Sequence, residues 1–265
     1  MRYAAMDGTL GRRQQTAEAV LPLAGEAGLA GVEVSLRSDY TADPLWSPDG
    51  ARAVRARARA LGLEIPSLAL LMLNDGGFTG DEATRARARA IVRRGIDLAR
   101  ELGAGIILLP FFGAGAITDE RGIAQVIEEL RALAPTAEES GVRLGIETTL
   151  PAPTVVGILA AVSSPAVTAY FDVANAVWLG YDPVDELETL QAAGALPQIH
   201  IKDIQERPGD RGPGEGRVPY PQVARALRRL GYDGYLVFET PATDDPVTAA
   251  RRHRAFLDGL LAERT

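Results

Sequence analysis

Residues 198–239 read QIHIKDIQERPGDRGPGEGRVPYPQVARALRRLGYDGYLVFE. Two short runs rich in β-branched and aromatic residues, QIHIK (198–202) and YLVFE (235–239), flank a Gly/Pro-rich loop and a segment of helix formers. That is a strand–loop–helix–strand unit, the repeat from which parallel sheets are built. Working outward in both directions, the same alternation recurs. YAAM (3–6), GVEVS (31–35), EIPSLAL (64–70), GIILLP (105–110), VRLGIE (142–147) and TAYFD (168–172) read as further strands, eight in all. A chain of 265 residues with 46% hydrophobic content is close to the ~250 residues of a (β/α)8 barrel. The expected fold is therefore α/β, a single TIM-barrel domain over 1–265.

The intervening segments carry helical spacing. In ARAVRARARALG the apolar Val54, Ala58 and Leu61 fall at i, i+4 and i+7, so Arg52, Arg55 and Arg59 are expected in solvent. ATRARARAIVRRGIDLARELGA repeats the design, with Gly103 as its stop signal. These arginines are solvated faces and no nucleic-acid footprint, because 35 acidic residues outnumber 28 basic ones (net charge −7) and phosphate binding needs positive charge. Cysteine is absent, which excludes disulfides, thiolate metal sites and Cys nucleophiles. Neither MRYAAMDGTLGRRQQT nor the apolar run GIILLPFFGAGAI has the pattern of a signal peptide or a bilayer span. The expectation is a soluble cytoplasmic protein with no membrane partner, open to assembly as a homo-oligomer. Two long loops, LNDGGFTGDE (73–82) and ERPGDRGPGEGRVPYP (206–221), have the length of functional segments. His253, in AARRHRAF, is expected at solvent or a subunit contact.

Active sites of such barrels lie where the strands end at their C-terminal face. The last four strands all carry metal-competent side chains there: Glu147, Asp172, His200 and Glu239. Strand alternation turns Ile199 and Ile201 toward the helices and His200 and Lys202 toward the axis; Val237 and Glu239 face inward likewise. An imidazole in a buried strand needs partners for both nitrogens, and three crowded carboxylates need a cation. One divalent ion meets both needs. Mostly oxygen donors with one imidazole suit Mn2+ best, with Mg2+ or Co2+ as substitutes and Zn2+ less natural. Taken singly, each acid could be a helix N-cap or loop anchor, and the histidine a core residue.

LGIET, YFDVANAVWLGYDPVDEL, QIHIKD and PGEGRVPYPQVARALRRLGYDGYLVFET together resemble the sugar phosphate isomerase/epimerase family of xylose isomerase-like TIM barrels. That family includes L-ribulose-5-phosphate and hexulose-6-phosphate 3-epimerases, tagatose/psicose 3-epimerases and hydroxypyruvate isomerase. The resemblance implies Glu147, Asp172, His200 and Glu239 as metal ligands, with Glu147 and Glu239 doubling as the proton-transfer pair. It also implies Lys202 and Arg217 as substrate contacts. Free-ketose epimerases have a His three residues after the metal Asp; DVAN places Asn175 there, closer to the phosphorylated-pentulose enzymes. Asn175 is assigned to the substrate or, equally, to a structural amide. TTLPAPTV after Glu147 lacks the second acid of the free-ketose enzymes.

The expected activity is metal-dependent isomerisation or epimerisation of a sugar or sugar phosphate through an enediolate, with carboxylates on opposite faces of the carbon that loses its proton. The amides of GPGEG (212–216) with Arg217 and Lys202 would make an anion cradle, unless the loop is only a crossover. Trp178, Phe111 and Phe112 would wall the pocket or simply pack. Rival activities are an inosose dehydratase-type lyase or hydroxypyruvate isomerase on the same metal site. An apurinic endonuclease, which needs more histidines than two, and a non-catalytic sugar-binding barrel are weaker rivals.

Overall fold

The computed structural model describes residues 1–11 and 15–263, so residues 12–14 and 264–265 of the expected domain lie outside it. Its strands are β1 (Arg2–Met6), β2 (Gly31–Leu36), β3 (Ser67–Leu70), β4 (Ile106–Phe111), β5 (Arg143–Thr148), β6 (Val167–Ala169), β7 (Phe171–Asp172), β8 (Gln198–Ile201), β9 (Asp203–Ile204), β10 (Pro208–Arg211) and β11 (Tyr235–Phe238). The main sheet runs β6-β5-β4-β3-β2-β1-β11-β8-β7, and all its pairings are parallel. Its two ends, β6 and β7, are successive pieces of the expected sixth strand, TAYFD, joined through Tyr170. The order therefore closes on itself, and the chain is a single α/β TIM barrel.

Alternation sorts the side chains as the period of two requires. Ile199, Ile201, Leu236 and Phe238 belong to the large apolar layer between strands and helices. Met6, Ala69, Ile106, Leu108 and Tyr170 form one cluster inside the barrel, and Ala4, Tyr235 and Val237 another. In-register pairing sets Asp172 beside His200 on one flank and Val237 on the other. That pairing brings strand ends remote in sequence to one level.

Three local expectations change. EIPSLAL pairs as a strand only from Ser67, with Glu64 making an isolated bridge to Gly31; Pro66 has no N–H to give a ladder. Arg55 is half-buried and donates to the Glu101 carbonyl, while Arg52 and Arg59 are exposed. The segment after β8 is ordered as an antiparallel β9–β10 hairpin, so it is no structureless crossover. Gly103 ends the helix Glu82–Leu102 in the left-handed region at φ 78°, a conformation glycine adopts without strain.

His253 is a correction. It lies on the helix Pro246–Ala262 and is only 4% exposed, packed on the Phe238 ring with centroids 5.7 Å apart. Helical periodicity left its face undecided; the loop after β10 covers it. A Cβ on Gly212 would come within 2.3 Å of its Nε2. Among the described residues, no helix is long and apolar enough to cross a membrane.

Candidate metal and proton-transfer site

The C-terminal end of β7 delivers Asp172, and the next residues turn into the helix Val173–Trp178. Asp172 Oδ1 accepts the N–H groups of Ala174 and Asn175, both at 2.8 Å. The helix-cap role is thus real for one oxygen, and Oδ2 is left for the barrel mouth. Glu147, on β5, is buried, and its Oε1 accepts from Asn175 Nδ2 at 3.0 Å. Asn175 therefore orients a candidate ligand directly. Glu239, just past β11, is the most open of the four, with 30% of its side chain exposed.

His200 stands at the centre. Its Nδ1 is 3.2 Å from Glu239 Oε2 and 3.8 Å from both Glu147 Oε1 and Asp172 Oδ2. One donor atom from each of Glu147, Asp172, His200 and Glu239 lies within 4.8 Å of all the others. Lys202 Nζ sits among them, 2.6 Å from Glu239 Oε2 and 2.8 Å from Asp172 Oδ2. His200 Nδ1 and Asp172 Oδ2 are both buried without a hydrogen bond; the Lys202 contact to Oδ2 is an ion pair by distance and lacks hydrogen-bond alignment. Three carboxyl groups crowd one ammonium and one imidazole. A buried, unpartnered oxygen and nitrogen among them fit a divalent ion, and the oxygen-rich donor set fits a hard one.

The two glutamates are driven apart. Burial pushes the Glu147 carboxyl above its ordinary value, more than the His200 contact lowers it. Burial acts on Glu239 in the same sense, but Lys202 and His200 outweigh it and hold that carboxyl well below the usual range. His200 and Lys202 are pushed down by burial and pulled above their ordinary values by the surrounding carboxylates, Glu33 and Asp172 foremost respectively.

A cavity of about 240 Å3, bordered by Gly8, Arg37, Lys202, Gly209 and Glu239, opens beside Glu239. Trp178 is 51% exposed, Phe111 is buried against Phe78, and the Arg217 side chain is exposed. The anion cradle is corrected. The amides of Gly214 and Gly216 donate to Asp203 Oδ2, that of Gly212 to Glu215 and that of Arg217 to the Ile204 carbonyl. They are spent on the protein itself, and the Lys202 ammonium on the carboxylates.

Glu33 was missed at the sequence level. It is fully buried on β2 and its Oε1 lies 2.9 Å from His200 Nε2. The signal was present: GVEVS sets an acid in a strand as apolar as the one around His200, and a buried charge demands partners as a buried imidazole does.

A family model described as xylose isomerase-like TIM barrel matches residues 21–260. A 2-epi-5-epi-valiolone 7-phosphate 2-epimerase of Actinoplanes sp. is 31% identical over 214 residues, 79% of this chain and 77% of that protein. A fructoselysine 3-epimerase of Shigella flexneri is 26% identical over 96% of this chain and 97% of its own length. The solved D-psicose 3-epimerase of Clostridium cellulolyticum H10 superposes with a TM-score of 0.80 at 16% identity, over 98% of this chain and 99% of that one; at that identity the likeness is one of fold.

Proposed function

This chain belongs to the xylose isomerase-like TIM barrel family, and from that premise we propose that it is a metal-dependent epimerase or isomerase of ketoses or ketose phosphates, working in the cytoplasm with Mn2+ as its ion. The observation that carries the proposal is the convergence of Glu147, Asp172, His200 and Glu239 within 4.8 Å at the barrel mouth. The relatives named as epimerases support the reaction class. Those four residues would hold the ion, which when bound stabilises the negative charge that develops on substrate oxygens as a neighbouring proton leaves.

The chain's own residues move the proton. Glu239, held ionised and half open to the cavity, takes the proton from the carbon next to the carbonyl. Glu147, whose orientation Asn175 sets, returns one from the other face of the enediolate. Two carboxyl groups on opposite faces of one carbon are what inversion requires. Lys202 neutralises part of the cluster and reaches the substrate; Asn175, Arg217 and Trp178 complete the substrate's surroundings.

The test is to incubate Mn2+-loaded protein with a panel of ketoses and ketose phosphates in D2O, then read deuterium at the carbon next to the carbonyl by NMR after removing the metal. Deuterium with inversion establishes an epimerase, and deuterium with carbonyl migration an isomerase. Absence of exchange across the panel, with loss of water from an inosose instead, overturns the proposal in favour of a lyase.

A further inference from the structure

We infer that Glu33 is the positioning residue of this site: its contact to Nε2 of His200 holds a proton on that nitrogen, so that Nδ1, facing the carboxylate cluster, is the nitrogen left to a metal ion. The inference rests on the metal-site reading above and adds to it a residue outside the four ligands.

Proton directions in the buried network follow from donor counting. Gln198 Nε2 donates to Ser67 Oγ at 2.6 Å and to the Tyr170 hydroxyl at 2.7 Å. Each hydroxyl has a single proton. With Gln198 occupying a lone pair on each, both hydroxyls direct that proton at Glu33 Oε2, Ser67 from 2.5 Å and Tyr170 beside it. Oε2 of the fully buried Glu33 thus receives two hydroxyl protons. Its second oxygen faces His200 Nε2 at 2.9 Å, and we assign it the acceptor's part there. Nε2 therefore carries a proton.

The ring is fixed as well as protonated. Tyr170 packs edge-on against His200, with centroids 4.6 Å apart and planes at 64°. Tyr170 also joins β6 to β7, so the residue that closes the barrel sets the plane of the imidazole. Without Glu33 the proton is free to move to Nδ1, 3.2 Å from Glu239. The histidine would then be a hydrogen-bond donor to Glu239 where a metal ligand is needed. Partners of this kind orient metal-bound histidines and raise their basicity.

The experiment uses the full chain and Glu33→Gln, with Tyr170→Phe as a milder variant that keeps the carboxylate and removes one donor. Mn2+ affinity is measured by calorimetry; Glu33→Gln is expected to weaken it about 10- to 100-fold and Tyr170→Phe by less. The second readout is spectroscopic. The chain has two imidazoles, His200 and His253, so ring-15N-labelled protein gives few signals, and His253→Gln assigns them. With 113Cd2+ as a diamagnetic probe, wild type should show cadmium–nitrogen coupling at Nδ1 of His200 and a directly bonded proton on Nε2. In Glu33→Gln the cadmium coupling at Nδ1 should be lost while His253 is unchanged. Coupling at Nε2 overturns the inference. So does Mn2+ affinity in Glu33→Gln within about twofold of wild type with unaltered His200 signals, where a loss of tenfold or more is expected. If Glu33→Gln does not fold, Tyr170→Phe and the wild-type spectrum decide. Wild-type protein that takes up no metal refutes the proposed function too; normal uptake with an indifferent Glu33→Gln refutes this inference alone.

Discussion

His253 should make the protein lose stability in mild acid, and His253→Leu should remove that loss. The ring is buried with both nitrogens unpartnered. Burial first, then the neighbouring Arg252, lowers its pKa from 6.5 to about 4, against a small opposing effect of Glu215. The folded state thus binds the proton more weakly than the unfolded chain. Stability attributable to this group is complete above pH ~6.5, drains away as pH falls toward ~4, and rises with pH between. With those two values, linkage makes folding about 2 kcal/mol less favourable at about pH 5 than at about pH 7.5. Solvent near the Arg252–Glu215 surface pair trims that to about 1 kcal/mol. Urea melts of wild type and His253→Leu at the two pH values give a double difference in which the titration of all other groups cancels. A difference of 1–2 kcal/mol is expected. Parallel pH dependence in the two proteins would refute the burial argument and return His253 to solvent.

Gly212→Ala should destabilise the fold by about 1–3 kcal/mol, since its Cβ would meet the His253 ring at 2.3 Å; thermal melts should show much of the loss relieved in the His253→Ala background. Asp203→Asn weakens a carboxylate that accepts the amides of Ile204, Gly214, Gly216 and Val218. Limited proteolysis should then cut within 205–217 faster while far-ultraviolet circular dichroism stays unchanged; wild-type resistance would mean the loop is held elsewhere. Glu147→Gln and Glu239→Gln should each lower deuterium exchange by about 10²–10⁴-fold, and near-normal exchange in either removes that residue from the acid–base pair. Chelating divalent metal should abolish exchange. Adding Mn2+ back at about 100 times its Kd should restore exchange and raise unfolding stability by about 2.7 kcal/mol, a gain that Asp172→Asn should largely lose.

The candidate site was legible where it depended on local pattern. A period of two along QIHIK and YLVFE decides which side chains face the axis, and strand ends in a barrel share one face, so Glu147, Asp172, His200 and Glu239 could be grouped without coordinates. Lys202 was placed on the correct face, but its ion pairs to Asp172 and Glu239 were not visible. The glycine-rich loop was misread for a related reason. GPGEG looks like a set of free amides until Asp203, 11 and 13 residues before its partners Gly214 and Gly216, takes them.

What the amino-acid order determined by itself is the barrel, the direction of its strands and the four converging donors, because alternation, helix stops and turn chemistry act over a few residues. What only the tertiary structure decided is the set of contacts between distant segments: Glu33 on His200 across 167 positions, Tyr170 closing the sheet order, and His253 beneath the loop after β10. Those pairings are fixed by sheet closure and packing, whose distances no local pattern encodes.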